Sequence, residues 1–344
     1  MKNTVKKILT TASVAIGVDA LFRYLNRDKL LVVMYHAVTR NSYNPPVWTH
    51  LPLDTFRQQL RFLKNHYTIV SIDQVLDALD GKSTLPPHAA LITFDDGYKN
   101  NFDIAFPVLQ ELEIPATIFL TVDKIGSAHP LWFDEIHLLL HAKNCTGNDL
   151  PFVNERAADL FSSGYTWDAY CVTVEALKHS GEDARESYLQ KLRKVAKTND
   201  DKRYEDFCLL GWDDVFKMRD SGLVYFGVHT ATHRILTDLA KDEWEQEIHA
   251  PRIKMEKLLG LPVRTFCYPN GRPGIDFHDD HISYMMACGY SCSFTTKSGL
   301  FSFSNNDCMQ IARIPAANDI RSEFSFFRLM QSVRVLMFHF LLFF

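Results

Sequence analysis

Short apolar runs and amphipathic stretches alternate along most of the chain. Leu30–Tyr35 (LLVVMY) is a continuous apolar run of strand length that ends on His36. Asp54–Asn65 places Phe56, Leu60 and Leu63 on one helical face, with Asp54 in position to cap it. Tyr67–Val70 predicts a short strand, and Ser71–Asp80 a helix that Ser71 can cap. After the breaker Pro86-Pro87, Ala89–Phe94 (AALITF) is a second buried strand and runs straight into Asp95-Asp96-Gly97. Phe102–Leu112 has helical spacing, and Ala116–Leu120 is the next strand.

The pattern changes over residues 127–210. Helical spacing there, at Pro130–Ala142 and Ala184–Ala196, is joined by polar Gly- and Asn-containing segments, which predicts an α-helical insertion. Regular alternation then returns. Trp212–Ser221 is a predicted helix, Leu223–Val228 a strand, and Asp242–Leu259 a long helix stopped by Gly260. Arg264–Tyr268 and Cys292–Thr295 are strands separated by a helix at Ile282–Cys288. Strands alternating with helices imply an α/β fold: a mainly parallel sheet with helices outside it. The expected divisions are an N-terminal tail or anchor (1–29), an α/β domain (30–126 and 211–320), the insertion (127–210) and an apolar C-terminal segment (321–344).

Composition narrows the functional classes. With 37 Lys+Arg against 41 Asp+Glu, the net charge is −4, so nucleic acid is not an expected partner, since binding phosphates leaves a basic footprint. Seven cysteines, an odd number with no CxxC pair, argue against a disulfide framework or a structural zinc knuckle and favour a reducing, cytoplasmic location. The two ends pull the other way. Lys2, Lys6 and Lys7 precede an apolar run, Ile8–Val18, which reads as a signal, a short anchor or a surface helix, and leaves export open. Val335–Phe344 (VLMFHFLLFF) is apolar except for His339. Both runs fall short of the roughly 20 residues needed to span a bilayer; either end can make peripheral membrane contact, and the C-terminal run reads equally as a buried docking helix or a partner site. Oligomeric state is not legible.

Three polar clusters sit at predicted strand ends, where α/β barrels gather their active sites. Thr93-Phe94-Asp95-Asp96-Gly97 sends two adjacent carboxylates out of an apolar strand, which is costly unless something such as a divalent cation compensates them. The plain alternative is a turn in which Gly97 supplies positive φ. His229-Thr230-Ala231-Thr232-His233 puts two histidines four apart, on one face of a helical turn, where they can share a metal. The plain alternative is two ordinary histidines among the 14 present. One Asp and two His leave open positions on Zn²⁺ or another first-row divalent ion. Cys267-Tyr268-Pro269-Asn270-Gly271 is either turn punctuation or a backbone N–H held towards an oxyanion.

TFDDG at 93–97, HTATH at 229–233 and FCYPNG at 266–271 resemble, in order and placement, the successive motifs of the polysaccharide deacetylase family, or NodB homology domain (carbohydrate esterase family 4). LVVMYHAV, LGWDDVFKMRDSGL and ACGYSCSFTTKSG resemble the branch associated with bacterial exopolysaccharide and surface-glycan loci. The likeness covers roughly residues 30–125 and 210–318. It implies a distorted, incomplete (β/α) barrel that hydrolyses an N-acetyl group from an acetamido sugar in a bacterial polysaccharide or glycan precursor. It further implies Asp95 as the base that activates water, and Asp96, His229 and His233 as ligands of one divalent cation, with zinc leading and other first-row ions open. Tyr268 would offer its backbone N–H to the tetrahedral intermediate. Many members carry a Leu-x-His strand near the C-terminus. Here that region reads Ile311-Ala312-Arg313-Ile314-Pro315, without histidine. His36, at the end of the first strand, can replace it if first and last strands are neighbours, and is the expected general acid. The plain alternative is a histidine held by core hydrogen bonds. Arg313 can orient Asp95 or pair elsewhere. Two other readings remain open: hydrolysis of a different C–N amide or an O-acetyl ester, and a non-catalytic glycan-binding or assembly protein.

Overall fold

A computed structural model describes residues 18–40, 42–43, 47, 49–141, 151–196, 202–305 and 307–316. Of the segment read as an N-terminal tail or anchor (1–29), residues 1–17 lie outside the described residues and Val18–Leu25 form a helix; the apolar C-terminal segment (321–344) lies wholly outside them. Among the described residues no helix is long and apolar enough to cross a membrane. These residues fall into two compact units, one within Met1–Ile125 and Trp212–Phe344, the other within Gly126–Gly211.

In the first unit the apolar runs become strands: β1 (Leu31–Tyr35), β2 (Ala37–Thr39), β3 (His50–Pro52), β4 (Thr68–Ile69), β5 (Ala89–Phe94), β6 (Ala116–Leu120), β7 (Val224–Val228), β8 (Thr265–Cys267), β9 (Cys292–Phe294) and β10 (Ile314–Pro315). The main sheet is ordered β10-β1-β5-β6-β7-β8-β9, and every pairing is parallel. β4 and β6 pair with β5 at its two ends, β4 at residues 89–90 and β6 at 93–94. Strands β1, β5 and β6 are buried at every position, as strands covered on both faces must be.

The last strand joins the first. Ile311 bridges Phe294 in parallel on one side, while Ile314 and Pro315 pair with Val33 and Met34 of β1 on the other. Residues 311–315 thus form a seam between β9 and β1, and the sheet curls into a distorted, incomplete barrel. Since all strands run the same way, their C-terminal ends, with His36, Asp95-Asp96, His229 and Tyr268, share one rim.

Close packing sets what the sheet tolerates. Gly227 lies in β7 between β6 and β8, and a Cβ placed there would come within 2.5 Å of the Phe119 ring and of Thr265 Oγ1. Gly227→Ala is therefore expected to cost about 1–3 kcal/mol by overpacking. Thermal unfolding should show this as a Tm lower by several degrees.

Several element boundaries differ from the sequence reading. Ser71 caps its helix as expected, within a full capping box: Gln74 N–H donates to Ser71 Oγ and Ser71 N–H to Gln74 Oε1. Asp54 does not cap its helix. The N-cap is Pro52, and Asp54 sits in the first turn, where its charge favours the helix dipole instead. β2 and β3, too short to read, form a separate parallel pair beyond His36. Two expected helices begin in π-turns, Asn101–Ala105 and Glu245–His249, each followed by a proline, Pro107 or Pro251. A proline lacks the N–H that would bond four residues back.

Among its described residues the second unit holds the α-helices Trp132–Leu140, Glu155–Ser162, Thr166–Lys178 and Glu182–Ala196 and the 3-10 helix Lys202–Phe207. Ile136, Leu139, Tyr170, Leu177, Leu189 and Leu192 form its core. Arg193 binds both carboxylate oxygens of Glu135, at 2.6 and 2.8 Å.

Candidate active site

Two buried clusters meet at the C-terminal rim of the barrel. The first surrounds Asp96. This residue has φ +73, a left-handed conformation that Asp tolerates better than most. Gly97 follows at φ +84. Asp96 is 2% exposed, and its Oδ1 accepts no hydrogen bond. Yet this oxygen lies 3.4 Å from His229 Nε2 and 3.3 Å from His233 Nε2. An orphaned buried carboxylate oxygen facing two ring nitrogens is a donor set for a cation. Tetrahedral zinc with bonds of about 2.0–2.2 Å holds neighbouring donors about 3.4 Å apart, so the three residues fit the ion that the resemblance implies. His229 Nδ1 lies 2.7 Å from Cys267 O. Because a carbonyl only accepts, Nδ1 carries a proton, and it is Nε2 that faces the cluster, with a lone pair to offer once the ring is neutral.

The two histidines do not lie on a helical turn, as their four-residue spacing suggested. Thr230 and His233 have φ +60 and +67, so 229–233 is an irregular loop. It is pinned where it leaves the sheet. His229 N–H donates to Leu120 O, while Val122 and Asp123 N–H donate to Thr230 O and Ala231 O.

The second cluster surrounds Asp95. Arg313, fully buried, grips it with both arms: Nη1 to Oδ1 at 2.7 Å and Nη2 to Oδ2 at 2.8 Å. Arg313 Nε donates to Thr295 O at 3.0 Å, and Nη2 also reaches Cys267 Sγ at 3.0 Å. Burial opposes ionisation of Asp95, but the charge and paired hydrogen bonds of Arg313 outweigh it and hold the carboxyl below its ordinary range. Asp95, His229 and Cys267 could also be read as a donor trio. The chemistry speaks against it, because Asp95 already serves the guanidinium and His229 Nδ1 already serves the Cys267 carbonyl.

His36 stands between β1 and this carboxylate, with Nε2 4.0 Å from Asp95 Oδ2. The segment that carries it is fastened from the first π-turn: Asn101 Nδ2 donates to His36 O at 2.6 Å, and Val38 N–H donates to Asn100 Oδ1 at 3.2 Å. Burial pushes the imidazole below its usual pKa, against the pull of the Asp96 and Asp95 carboxylates. It rests neutral near pH 7.

One expected site residue is displaced. Tyr268 N–H donates to Phe294 O at 3.2 Å as part of the ladder between β8 and β9, and is thus spent on the sheet. Its hydroxyl donates to Met309 O at 3.1 Å. Tyr268 packs face to face on Phe277, with ring centroids 3.7 Å apart, and is a core residue. In the same turn Pro269 has no N–H, and Gly271 N–H closes on Pro269 O. The next amide in line is that of Asn270, a residue in the left-handed region at φ +58. The sequence reading also missed Asn100, Asn101 and Cys267, whose grip on the site needs the folded chain to be seen.

The family model for polysaccharide deacetylase matches residues 82–293. YxkH of Bacillus subtilis (strain 168) is 31% identical over 104 residues, 30% of this chain and 36% of that one. The poly-beta-1,6-N-acetyl-D-glucosamine N-deacetylase of Escherichia coli (strain K12) is 43% identical over 61 residues, 17% of this chain and 9% of that one. The aligned stretches thus span about a third or less of these relatives. Among solved structures, the Streptococcus pyogenes deacetylase PplD in complex with acetate superposes with a TM-score of 0.57 at 18% identity, covering 88% of this chain and 98% of that one. It shares the fold. Together with the rim of strand-end motifs, the match over 82–293 settles the lineage: this chain is a member of the polysaccharide deacetylase family.

Proposed function

We propose that the protein hydrolyses the N-acetyl group of an acetamido sugar in a bacterial polysaccharide or glycan precursor, with one divalent cation, zinc first, held by Asp96, His229 and His233. The observation that carries this reading is the unbonded Asp96 Oδ1, 3.3–3.4 Å from two imidazole nitrogens, beside a second carboxylate that is already ionised. When bound, the cation polarises the amide carbonyl and acidifies water.

The chain's own residues carry the protons. Asp95, kept charged by Arg313, accepts one from the attacking water. The C–N bond then breaks, and the leaving amine must be protonated. His36 rests neutral and can serve as the acid only after gaining a proton. Asp95, 4.0 Å away, is the nearby group that holds one at that stage. The Asn270 N–H replaces that of Tyr268 as the oxyanion donor. Relatives named for poly-beta-1,6-N-acetyl-D-glucosamine make that polymer the first substrate to try.

His36→Ala is expected to lower turnover about 10²–10⁴-fold, the usual span for a lost general acid, while zinc content stays at the wild-type level. Loss of zinc from this variant would make His36 a ligand instead. The reading as a whole is tested by acetate release from N-acetylated glucosamine oligomers with β-1,6 and β-1,4 linkages. Turnover should stop on chelation and return with Zn²⁺. Bound zinc with no release from any glycan would turn the assignment towards a binding protein.

A further inference from the structure

The loop that carries both histidines contains no glycine, yet Thr230 and His233 lie at positive φ. A β-branched residue there is a true outlier, and such strained positions persist only where their surroundings enforce them. The two residues between them are held by Glu247, which is 6% exposed. Its Oε2 accepts the N–H of Ala231 and of Thr232, each at 3.1 Å, and its Oε1 accepts Thr232 Oγ1–H at 2.6 Å. Ala231 N–H also reaches the main-chain carbonyl of Glu247 at 3.1 Å.

The sequence explains why that carbonyl is available. Four residues on stands Pro251, which has no N–H to close the helical bond. The helix opens into the π-turn Glu245–His249, a device that recurs at functional sites. Within this turn Glu245 and Gln246 stay exposed while Glu247 and Ile248 are buried. One residue therefore offers three oxygens to the middle of the loop. The N–H groups of Ala231 and Thr232 go to Glu247, the carbonyls of Thr230 and Ala231 go to the end of β6, and the two imidazoles are left to face Asp96.

We propose that Glu247 is a positioning residue for the cation site. It holds the strained 229–233 loop so that His229 and His233 converge on Asp96 before any ion arrives. The affinity part of this inference rests on the metal reading above. The loop part does not.

Two measurements on the full-length chain separate them. Zinc affinity is read by competition with a chromogenic chelator. The order of the loop in the metal-free protein is read by amide hydrogen exchange at Ala231 and Thr232. Glu247→Gln should weaken zinc binding about 10–100-fold, the range for partners that orient ligands, and should speed exchange at both amides. Thr232→Val removes only the Oγ1 contact and should shift both readouts the same way by less, which covers the case in which Glu247→Gln does not fold. If exchange at these amides is unchanged in the variants, or if zinc affinity holds while only Tm falls, Glu247 is a stabilising core residue and the inference is wrong. Should the wild-type chain bind no zinc while Glu247→Gln still frees the amides, the metal reading fails and the loop assignment stands.

Discussion

Asp96→Asn should leave the protein folded, empty of zinc and at least about a thousandfold slower in acetate release, since cation catalysis contributes several kcal/mol and each 1.4 kcal/mol is about tenfold. The substitution keeps the shape of the side chain and removes its charge. In the wild type, burial disfavours the charge of Asp96, and the two imidazoles that face it, His229 and His233, hold the carboxyl well below its ordinary range. Asparagine carries no charge to neutralise a cation, and its NH₂ cannot serve as a ligand. Thermal stability of the metal-free protein should fall near neutral pH, because a carboxyl held below its ordinary range is one whose charge the fold stabilises, and asparagine gives that up. Zinc content by elemental analysis is the deciding measurement. A variant that keeps a full equivalent of zinc would remove Asp96 from the ligand set.

The largest effect on stability is expected at Arg313. Its ion pair with Asp95 is completely buried. Removing one partner of such a pair typically costs about 3–5 kcal/mol, because the other is left charged in a low-dielectric site. That is a large share of the roughly 5–15 kcal/mol that holds a domain together. Arg313→Met should therefore unfold far more readily. Asp95→Asn combined with Arg313→Met should regain much of the loss while remaining inactive. The pH dependence of the metal-free protein should reverse between these forms. In the wild type the folded pKa of Asp95 lies below the unfolded value, so the pair adds stability above about pH 4 that drains away as pH falls through the folded pKa. In Arg313→Met burial, the largest influence, is opposed only by His229 and His36 and raises the folded pKa. That variant should lose stability as pH rises above about 4. Urea unfolding between pH 3 and 7 would show the two slopes; parallel slopes would mean that the pair contributes no net stability.

The sequence disclosed what local patterns can disclose. AALITF can only be a buried strand, and two aspartates at its end demand compensation, so the position of Asp95 and Asp96 was readable. The neighbourhood of His36 followed from topology once β1 was seen as a first strand needing a last one beside it. What escaped the sequence depends on backbone detail. The four-residue spacing of His229 and His233 looks the same in a helical turn and in a loop with two left-handed residues. Tyr268 was read as an oxyanion donor because nothing in FCYPNG shows that β9 takes its N–H. The partner of Arg313 lies 218 residues away, and the two-residue strand beyond it has no periodicity. Pro107 and Pro251 do carry a local signal, since a proline in a helical run frees a carbonyl, and that signal marks both π-turns.

The seam between β9 and β1 sets an order of assembly. Asp95 and Arg313 are separated by 218 residues, which at about 5–20 residues per second take about 10–40 s to synthesise. Throughout that interval the emerging chain has a carboxylate that cannot be buried cheaply and a β1 edge with nothing to pair. Such long-range closure is slow and exposes apolar edges while it is pending. The sheet is thus closed, and Asp95 given its guanidinium partner, only when residues 311–315 arrive.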